Sequence, residues 1–349
     1  MKNILVTGGA GYIGSHTCLQ LLARGYNVNV IDSFINSSPK SLEKVLEINK
    51  LNKTNFQNKL NIFKGDLLDK DFLNYVFSDL TNTYKKIDGV IHFAGLKSVS
   101  ESVSDPLKYW QINVIGSINL LEILEKFHCN TFVFSSSATV YAHSEDALLS
   151  ENSLIRPINP YGSTKHTIEL ILKDIFNASD KNPKFASLRY FNPIGAHSSG
   201  LIGEDPKGKP NNIFPLIINT AKGIQKELMI YGNDWPTKDG TPIRDYIHVM
   251  DLAEGHYSAL NYLINNKPQI ITLNLGTGLG TSVLQLIKFF KKVNNVNIPF
   301  VFEERRPGDV ASVVADNSFA LSILDWSPKR NIEDICRDGW NWQINNPNG

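Results

Sequence analysis

Tyr161 and Lys165 stand four residues apart in the stretch Tyr161-Gly162-Ser163-Thr164-Lys165. On a helix that spacing puts both side chains on one face. A phenol with its ordinary pKa of ~10 is a poor base at neutral pH, but a neighbouring ammonium favours the phenolate. Bringing such a group down to ~7 represents about 4 kcal/mol of differential interaction. The pair would then take a proton from a hydroxyl whose carbon is being oxidised. Ser137, in Ser135-Ser136-Ser137-Ala138-Thr139, is of the right type to share that proton. Tyr-x-x-x-Lys alone is common on helices, so its weight depends on what surrounds it.

Near the start of the chain stands Thr7-Gly8-Gly9-Ala10-Gly11-Tyr12-Ile13-Gly14, between an apolar run and a helical pattern. Gly8 allows a tight turn, Gly11 lets the backbone approach a pyrophosphate, and Gly14 lets helix and strand pack closely. The helix that follows offers free N–H groups and its positive dipole end. Asp32 ends the next apolar run, close to the ~20 residues expected beyond the glycines. A carboxylate there accepts from ribose hydroxyls and repels a 2′-phosphate, and Ser33-Phe34 adds no cation, so NAD rather than NADP is expected. Gly65-Asp66-Leu67 is placed to meet the adenine edge. In Phe93-Ala94-Gly95-Leu96-Lys97 small residues leave room for the cofactor and Lys97 offers charge. A bound nicotinamide would add a second positive charge beside Tyr161, and Lys165 can also hold a ribose.

These residues need a frame. Apolar runs at 2–7, 27–31, 60–64, 89–94, 131–135 and 185–190 read as buried parallel strands. Helical patterns lie between them, the longest over 106–127, with another over 161–177. Alternation of this kind implies right-handed β-α-β units in an α/β, doubly wound, Rossmann-like sheet. Residues 37–58 read as a polar, helix-compatible insert. After Phe191 the character changes: 197–212 is a Gly/Pro-rich loop, and Lys238-Asp239-Gly240 looks like a turn between strands. An NAD-binding domain over 1–190 and a smaller α+β domain over 191–349 are expected, with some elements of the second returning to the first. Gly276-Thr277-Gly278-Leu279-Gly280 looks like a second nucleotide loop, but it lacks the final glycine spacing and a following acid. A strand-to-helix turn is expected there instead.

Composition narrows the classes. The 349 residues are 42% apolar and 20% charged, with a net charge of +1, which gives no reason to expect nucleic acid or an acidic membrane as partner. Cys18, Cys129 and Cys336 are scattered and form no C-x-x-C pair, so buried apolar thiols are expected, with neither disulfide nor metal site. No stretch is long and apolar enough to span a bilayer, and the first residues run straight into the glycine turn without a signal peptide. A cytoplasmic protein is expected.

Over essentially its whole length the chain resembles the extended short-chain dehydrogenase/reductase family, and closely its UDP-hexose 4-epimerase branch. The matching stretches are Val6-Thr7-Gly8-Gly9-Ala10-Gly11-Tyr12-Ile13-Gly14-Ser15-His16, His92-Phe93-Ala94-Gly95-Leu96-Lys97, Phe134-Ser135-Ser136-Ser137-Ala138-Thr139-Val140-Tyr141, Arg189-Tyr190-Phe191-Asn192-Pro193, Gly203-Glu204-Asp205-Pro206, Arg244-Asp245-Tyr246-Ile247-His248-Val249 and Arg305-Arg306-Pro307-Gly308-Asp309. The resemblance implies interconversion of UDP-galactose and UDP-glucose. Tyr161 takes the proton from O4 as hydride leaves C4 for tightly held NAD, Ser137 helps pass that proton, the 4-keto sugar swings about its pyrophosphate link, and hydride returns to the other face. It implies a cofactor site of Gly8, Gly11, Tyr12, Ile13, Gly14, Asp32, Asn36, Ser37, Asp66, Leu67, Phe93, Ala94, Gly95, Lys97, Asn113, Tyr161, Lys165 and Tyr190. For the nucleotide sugar it implies Lys97, Ser137, Tyr161, Asn192, Asn212, Ile213, Met229, Tyr231, Arg244, Arg306, Asp309 and Val313. Arg244 and Arg306 hold the diphosphate, Asp309 lies near the uridine ribose, and Tyr231 walls the uridine pocket. A homodimer is implied too, through the helices around 112–125 and 161–173.

Departures from the family pattern carry information. Asp32 is followed by Ser33-Phe34-Ile35 rather than the commoner Asn-Leu, although Asn36-Ser37 remain. Val313 stands where some epimerases carry a bulky tyrosine gate, which leaves room for an N-acetyl group and suggests additional turnover of UDP-N-acetylhexosamines. Nucleotide-sugar dehydratases place an acid pair after the catalytic threonine; Ala138-Thr139-Val140 has none. A uronate 4-epimerase stays open on these residues. A non-catalytic NAD-binding scaffold is disfavoured, because Ser137, Tyr161 and Lys165 are all present.

Overall fold

In the computed structural model, which describes residues 1–51, 59–142, 148–205, 212–306 and 308–347, the apolar runs become strands, nearly all buried on both faces except the partly exposed edge strand over 60–64. The first half runs β1 (Asn3–Thr7), α1 (Tyr12–Ala23), β2 (Asn27–Asp32), α2 (Pro39–Leu51), β3 (Leu60–Lys64), α3 (Lys70–Tyr84) and β4 (Gly89–His92). It continues through α4 (Val99–Ser104), α5 (Pro106–Tyr109), a π-helical turn (Trp110–Ile115), α6 (Gly116–Lys126), β5 (Thr131–Ser137), α7 (Pro160–Ala178) and β6 (Lys184–Tyr190). Of the polar insert, the described part is α2; residues 52–58 lie outside the described residues, as do 206–211 of the Gly/Pro-rich loop, and with them Pro206, and Pro307.

The second half runs β7 (Asn192–Ile194), α8 (Ile213–Ala221), β8 (Leu228–Tyr231), β9 (Ile243–His248), α9 (Val249–Asn265) and β10 (Gln269–Leu275). It ends with β11 (Gly280–Ser282), α10 (Val283–Asn294), β12 (Phe300–Glu303), β13 (Ser312–Val313), α11 (Ser318–Ile323) and α12 (Ile332–Asn345). Seven strands form one parallel sheet in the order β10-β6-β5-β4-β1-β2-β3. Side chains alternate between two helix layers. Ile4 and Val6 pack with α1, α2 and α9, whereas Leu5 packs with α3, α6 and α7. Strand order reverses between β1 and β4, which opens a crevice at their carboxyl ends.

Two elements of the second half return to this sheet. β10 pairs with β6 along its full length, and α9 buries Leu252, Ala259, Leu260 and Leu263 in the same core as α1. The rest builds a smaller body. β9 pairs with β7, β11 and β13, β8 pairs with β12, and α8, α10 and α12 close a separate core around Phe214, Ile230 and Phe290. Polar ends fix the helices: Ser282 with Gln285 caps α10, and Asn331 with Asp334 caps α12.

Three local expectations are corrected. The helix expected over 106–127 is broken into α5, the π turn and α6. The wider turn brings Asn113 inward, where its amide binds the Leu96 backbone (2.7 Å and 3.1 Å) and Thr164 Oγ1 (3.3 Å). The turn at 238–240 joins β8 and β9, but these strands belong to different sheets. Between the 276–280 loop and its helix stands a three-residue strand, β11. Thr277 and Gly278 donate their backbone N–H groups to the Asp245 carboxylate at 2.8 and 2.9 Å, so a carboxylate of the chain occupies the place a phosphate would take in a nucleotide loop.

Candidate active site

The glycine turn begins where β1 ends. Gly8 has φ +69°, and a Cβ there would lie 2.7 Å from the Ala94 nitrogen. A Cβ on Gly14 would lie 2.2 Å from the Gly8 carbonyl oxygen, so only glycine lets α1 start this close to β1. No side chain caps α1 at Gly11, and Tyr12, Ile13 and Gly14 of its first turn line a cavity of about 720 Å³. A helix N-terminus open on a cavity suits a phosphate.

At the far side Asp32 closes β2. Its Oδ2 accepts from Ala10 N–H (2.9 Å), and its Oδ1 accepts from Phe34 N–H (2.9 Å) and Ser37 Oγ (2.7 Å). Three donors on a group with about four acceptor positions leave one for a hydroxyl. Uncapped amides, a carboxylate about 20 residues on, and small residues at Ala94 and Gly95 fit a dinucleotide with a free ribose diol. Every residue expected to bind the cofactor lines this cavity except Asn113, whose amide is spent holding the Leu96 backbone and Thr164.

Tyr161, Lys165 and Ser137 meet in the same cavity. Asn159 caps α7 by accepting from Gly162 N–H (2.8 Å), with Pro160 in the first turn, so the helix starts just before Tyr161. Ser137 is the last residue of β5 rather than a residue beyond it. Burial pushes the Tyr161 phenol up to about 12, and the facing Ser137 hydroxyl opposes that shift. Lys165 is buried, which pulls it down to about 8 against the charge of Glu169. Its Nζ donates to the Ser135 carbonyl (2.8 Å) and lies 5.8 Å from the Tyr161 ring centroid. Nearby His92 is driven down to about 3 by burial and by the Lys165 charge, so it is neutral, with Thr7 Oγ1 at 2.6 Å and Ser117 Oγ at 2.9 Å.

The residues expected to meet the sugar nucleotide fall into two groups. Lys97, Ser137, Tyr161, Asn192, Asn212 and Ile213 line the cavity. Met229, Tyr231, Arg244, Arg306, Asp309 and Val313 do not; the first three and Val313 stand on β8, β9 and β13, and Arg306 and Asp309 on the segment between β12 and β13. Arg306 stacks on Tyr231 with Cζ 3.7 Å from the ring centroid, and Tyr231 Oη reaches Met229 Sδ at 3.7 Å. Arg244 lies two residues before Tyr246, which lines the cavity, so the two share a strand face. Arg244 Nη1 donates to the Ile243 and Val310 carbonyls (2.8 and 3.0 Å), while Asp309 stands 3.8 Å from Nη2. Burial lowers the Arg244 pKa, with the Asp309 carboxylate opposing. Val313 pairs with Arg244 and packs in one small cluster with Ala138 and Phe191, next to Ser137.

Some features of the lining gave no signal in the sequence. Lys97 pairs with Glu204 at 3.1 Å across the cavity. Trp342 and Asn346, at the end of α12, also line it, as do Lys40 and Lys44 beyond Asp32. The family motif containing Glu204 pointed to that loop but not to its partner. Nothing in the spacing of Trp342 and Asn346 distinguishes them from the rest of an amphipathic helix.

The chain matches known proteins along its length. The family described as GDP-mannose 4,6 dehydratase covers residues 5–339. A UDP-glucose 4-epimerase of Yersinia enterocolitica is 51% identical over 348 residues, 99% of each chain. The crystal structure of a UDP-glucose 4-epimerase from Stenotrophomonas maltophila, with bound NAD and formylated UDP-arabinopyranose, superposes with TM-score 0.92 at 42% identity, covering 99% of this chain and 98% of that one. That of the Bifidobacterium longum enzyme, in complex with NAD+ and UDP, superposes at 0.91 and 42%, covering all of both chains.

Proposed function

Since the chain belongs to the extended short-chain dehydrogenase/reductase family, among relatives named UDP-glucose 4-epimerase, we propose that it interconverts UDP-galactose and UDP-glucose on retained NAD. The observation that carries this is the convergence of Tyr161, Lys165 and Ser137 at one end of a cavity whose other end fits a dinucleotide. Bound there, NAD would supply reversible hydride acceptance, so no outside oxidant would be consumed.

The side chains supply the rest. Tyr161 Oη takes the O4 proton of the sugar and later returns it. Ser137 faces that oxygen and bridges it to the sugar hydroxyl. Lys165, fixed on the Ser135 carbonyl, keeps positive charge beside the phenol. The uncapped start of α1 would hold the cofactor diphosphate, and Asp32 would hold its ribose. Arg244 and Arg306 receive the UDP diphosphate. Stacking on Tyr231 leaves the edge N–H groups of Arg306 free to pair with phosphate oxygens. Thr139 donates to Ser137 Oγ (3.0 Å), and its sequence neighbours Ala138 and Val140 include no acid to carry protons for an elimination.

Small Val313, packed against the same cluster as Ala138, supports room for an N-acetyl group, hence turnover of UDP-N-acetylhexosamines as well. Exposed apolar side chains on the helices before and within the expected interface, Val103, Leu107, Trp110, Ile115 and Leu170, support a homodimer. Three unpaired, buried cysteines are compatible with a cytoplasmic setting. The cofactor assignment is tested by denaturing purified protein and identifying the nucleotide released. NAD supports the reading, and NADP would overturn the role given to Asp32.

A further inference from the structure

α7 carries a third residue in line with the catalytic pair. Tyr161, Lys165 and Glu169 follow at four-residue intervals, so they share one helix face. That face meets the last three residues of β5, one side chain to each: Tyr161 faces Ser137, Lys165 Nζ donates to the Ser135 carbonyl, and Glu169 Oε1 accepts from Ser136 Oγ at 2.5 Å. Arg189, on β6, clamps Glu169 from the other side, with Nε 2.9 Å from Oε1 and Nη2 2.6 Å from Oε2. Both side chains are buried.

A buried ion pair of this kind is weak as a source of stability, because two charges are stripped of water to make it. Its consequence for the neighbouring charge is more direct. Lys165 faces Tyr161 and Glu169 from α7, neutral His92 from β4, and the Phe134 ring and the Ser135 carbonyl from β5, while Glu169 itself is met by Arg189 from β6 and by His166, whose Nδ1 stands 3.9 Å from Oε2. Glu169 is therefore the one anion facing it among the described residues. We infer that Glu169, held by Arg189 and Ser136, is a positioning residue that keeps Lys165 charged and holds the end of β5 in register with α7. This rests on the catalytic reading of Tyr161 and Lys165 given above, but its first test does not.

That test is competitive acetylation of the protein as purified, with acetic anhydride, across pH 6 to 10. Peptide mass spectrometry then gives the pH at which Lys165 becomes half reactive. Removing an opposite charge at ~4–6 Å moves a pKa by roughly one to three units. Glu169→Gln should lower the Lys165 midpoint by about one pH unit or more, and Glu169→Asp should restore it. Because Glu169→Gln leaves Arg189 buried and unpaired, the double variant Glu169→Gln/Arg189→Gln covers failure to fold, and it should lower the midpoint as well. A midpoint unchanged in every folded variant lacking the carboxylate overturns the inference.

The second readout is the pH profile of kcat with UDP-galactose. Activity that needs the ammonium falls as pH rises through the Lys165 pKa, so the alkaline limb in Glu169→Gln should move down by the same interval, with KM within about twofold. A loss of kcat equal at every pH would mean a merely structural role and would also count against the inference. A shifted labelling midpoint without any shift in the limb would leave the charge effect standing while removing Lys165 from the catalytic reading.

Discussion

Replacing Tyr161 by phenylalanine removes one oxygen and keeps the packing, so it isolates the proton chemistry. In the structure burial holds the phenol at about 12, and the Ser137 hydroxyl is the partner that opposes it. Ionising such a group at pH 7 costs about 7 kcal/mol, from roughly five pH units at 1.36 kcal/mol each. The Ser137 hydrogen bond is already part of that balance, so the stabilisation still needed falls to positive charge brought beside the phenol when the cofactor binds. A positioned acid–base group is worth about 10²- to 10⁴-fold. Tyr161→Phe should therefore lower kcat for UDP-galactose by that factor, with KM within about threefold and thermal stability nearly unchanged. The pH profile adds a sign. In the parent enzyme activity rises with pH as phenolate forms, then falls above about 8 as Lys165 loses its proton. The rising limb should vanish in Tyr161→Phe. A variant that kept normal turnover, or kept the rise, would refute the assignment of Tyr161 as base.

Other variants probe the surroundings. Val313→Tyr, in the cluster that also holds Ala138 and Phe191, should cut turnover of UDP-N-acetylgalactosamine at least tenfold while sparing UDP-galactose; equal losses on both would show that Val313 is not a gate. Asp245 accepts from Thr277 N and Oγ1 on one oxygen and from Gly278 N and Ala315 N on the other. In Asp245→Asn the new amide nitrogen would face two of those donors, so the substitution should cost about 3 kcal/mol in urea denaturation; a loss below ~1 kcal/mol would contradict it. Leu107 is 79% exposed in an apolar stretch with Val103 and Ile115. Leu107→Glu should shift the protein toward monomer in sedimentation, and an unchanged mass would place the interface elsewhere.

The nucleotide half of the site was legible because its physics is local. The turn at Gly8, the close approach at Gly14 and the carboxylate at the end of β2 each act within a few residues of their own motif. The seven strands were mostly legible for a related reason: strands buried on both faces read as continuous apolar runs. β10 had no such clarity, since Gln269–Leu275 mixes Gln, Thr and Asn with its apolar residues, and only its pairing with β6 reveals where it belongs. The π turn was hidden because the helical periodicity continues through it. What forces it inward is the distant Leu96 backbone, which Asn113 binds. Long-range charge pairs escaped altogether. Lys97 with Glu204, and Glu169 with Arg189, join residues that no periodicity links. Arg306 was read as a phosphate partner, but its stack on Tyr231 depends on the pairing of β8 with β12 and could only be seen in three dimensions.

The most direct test of the central claim is to incubate the purified protein with UDP-galactose, adding no cofactor, and to follow the anomeric proton signals by NMR. Conversion to UDP-glucose is the predicted result, since the sugar chemistry and a retained NAD are both part of the account. No conversion by folded protein, even after NAD is supplied, would contradict it.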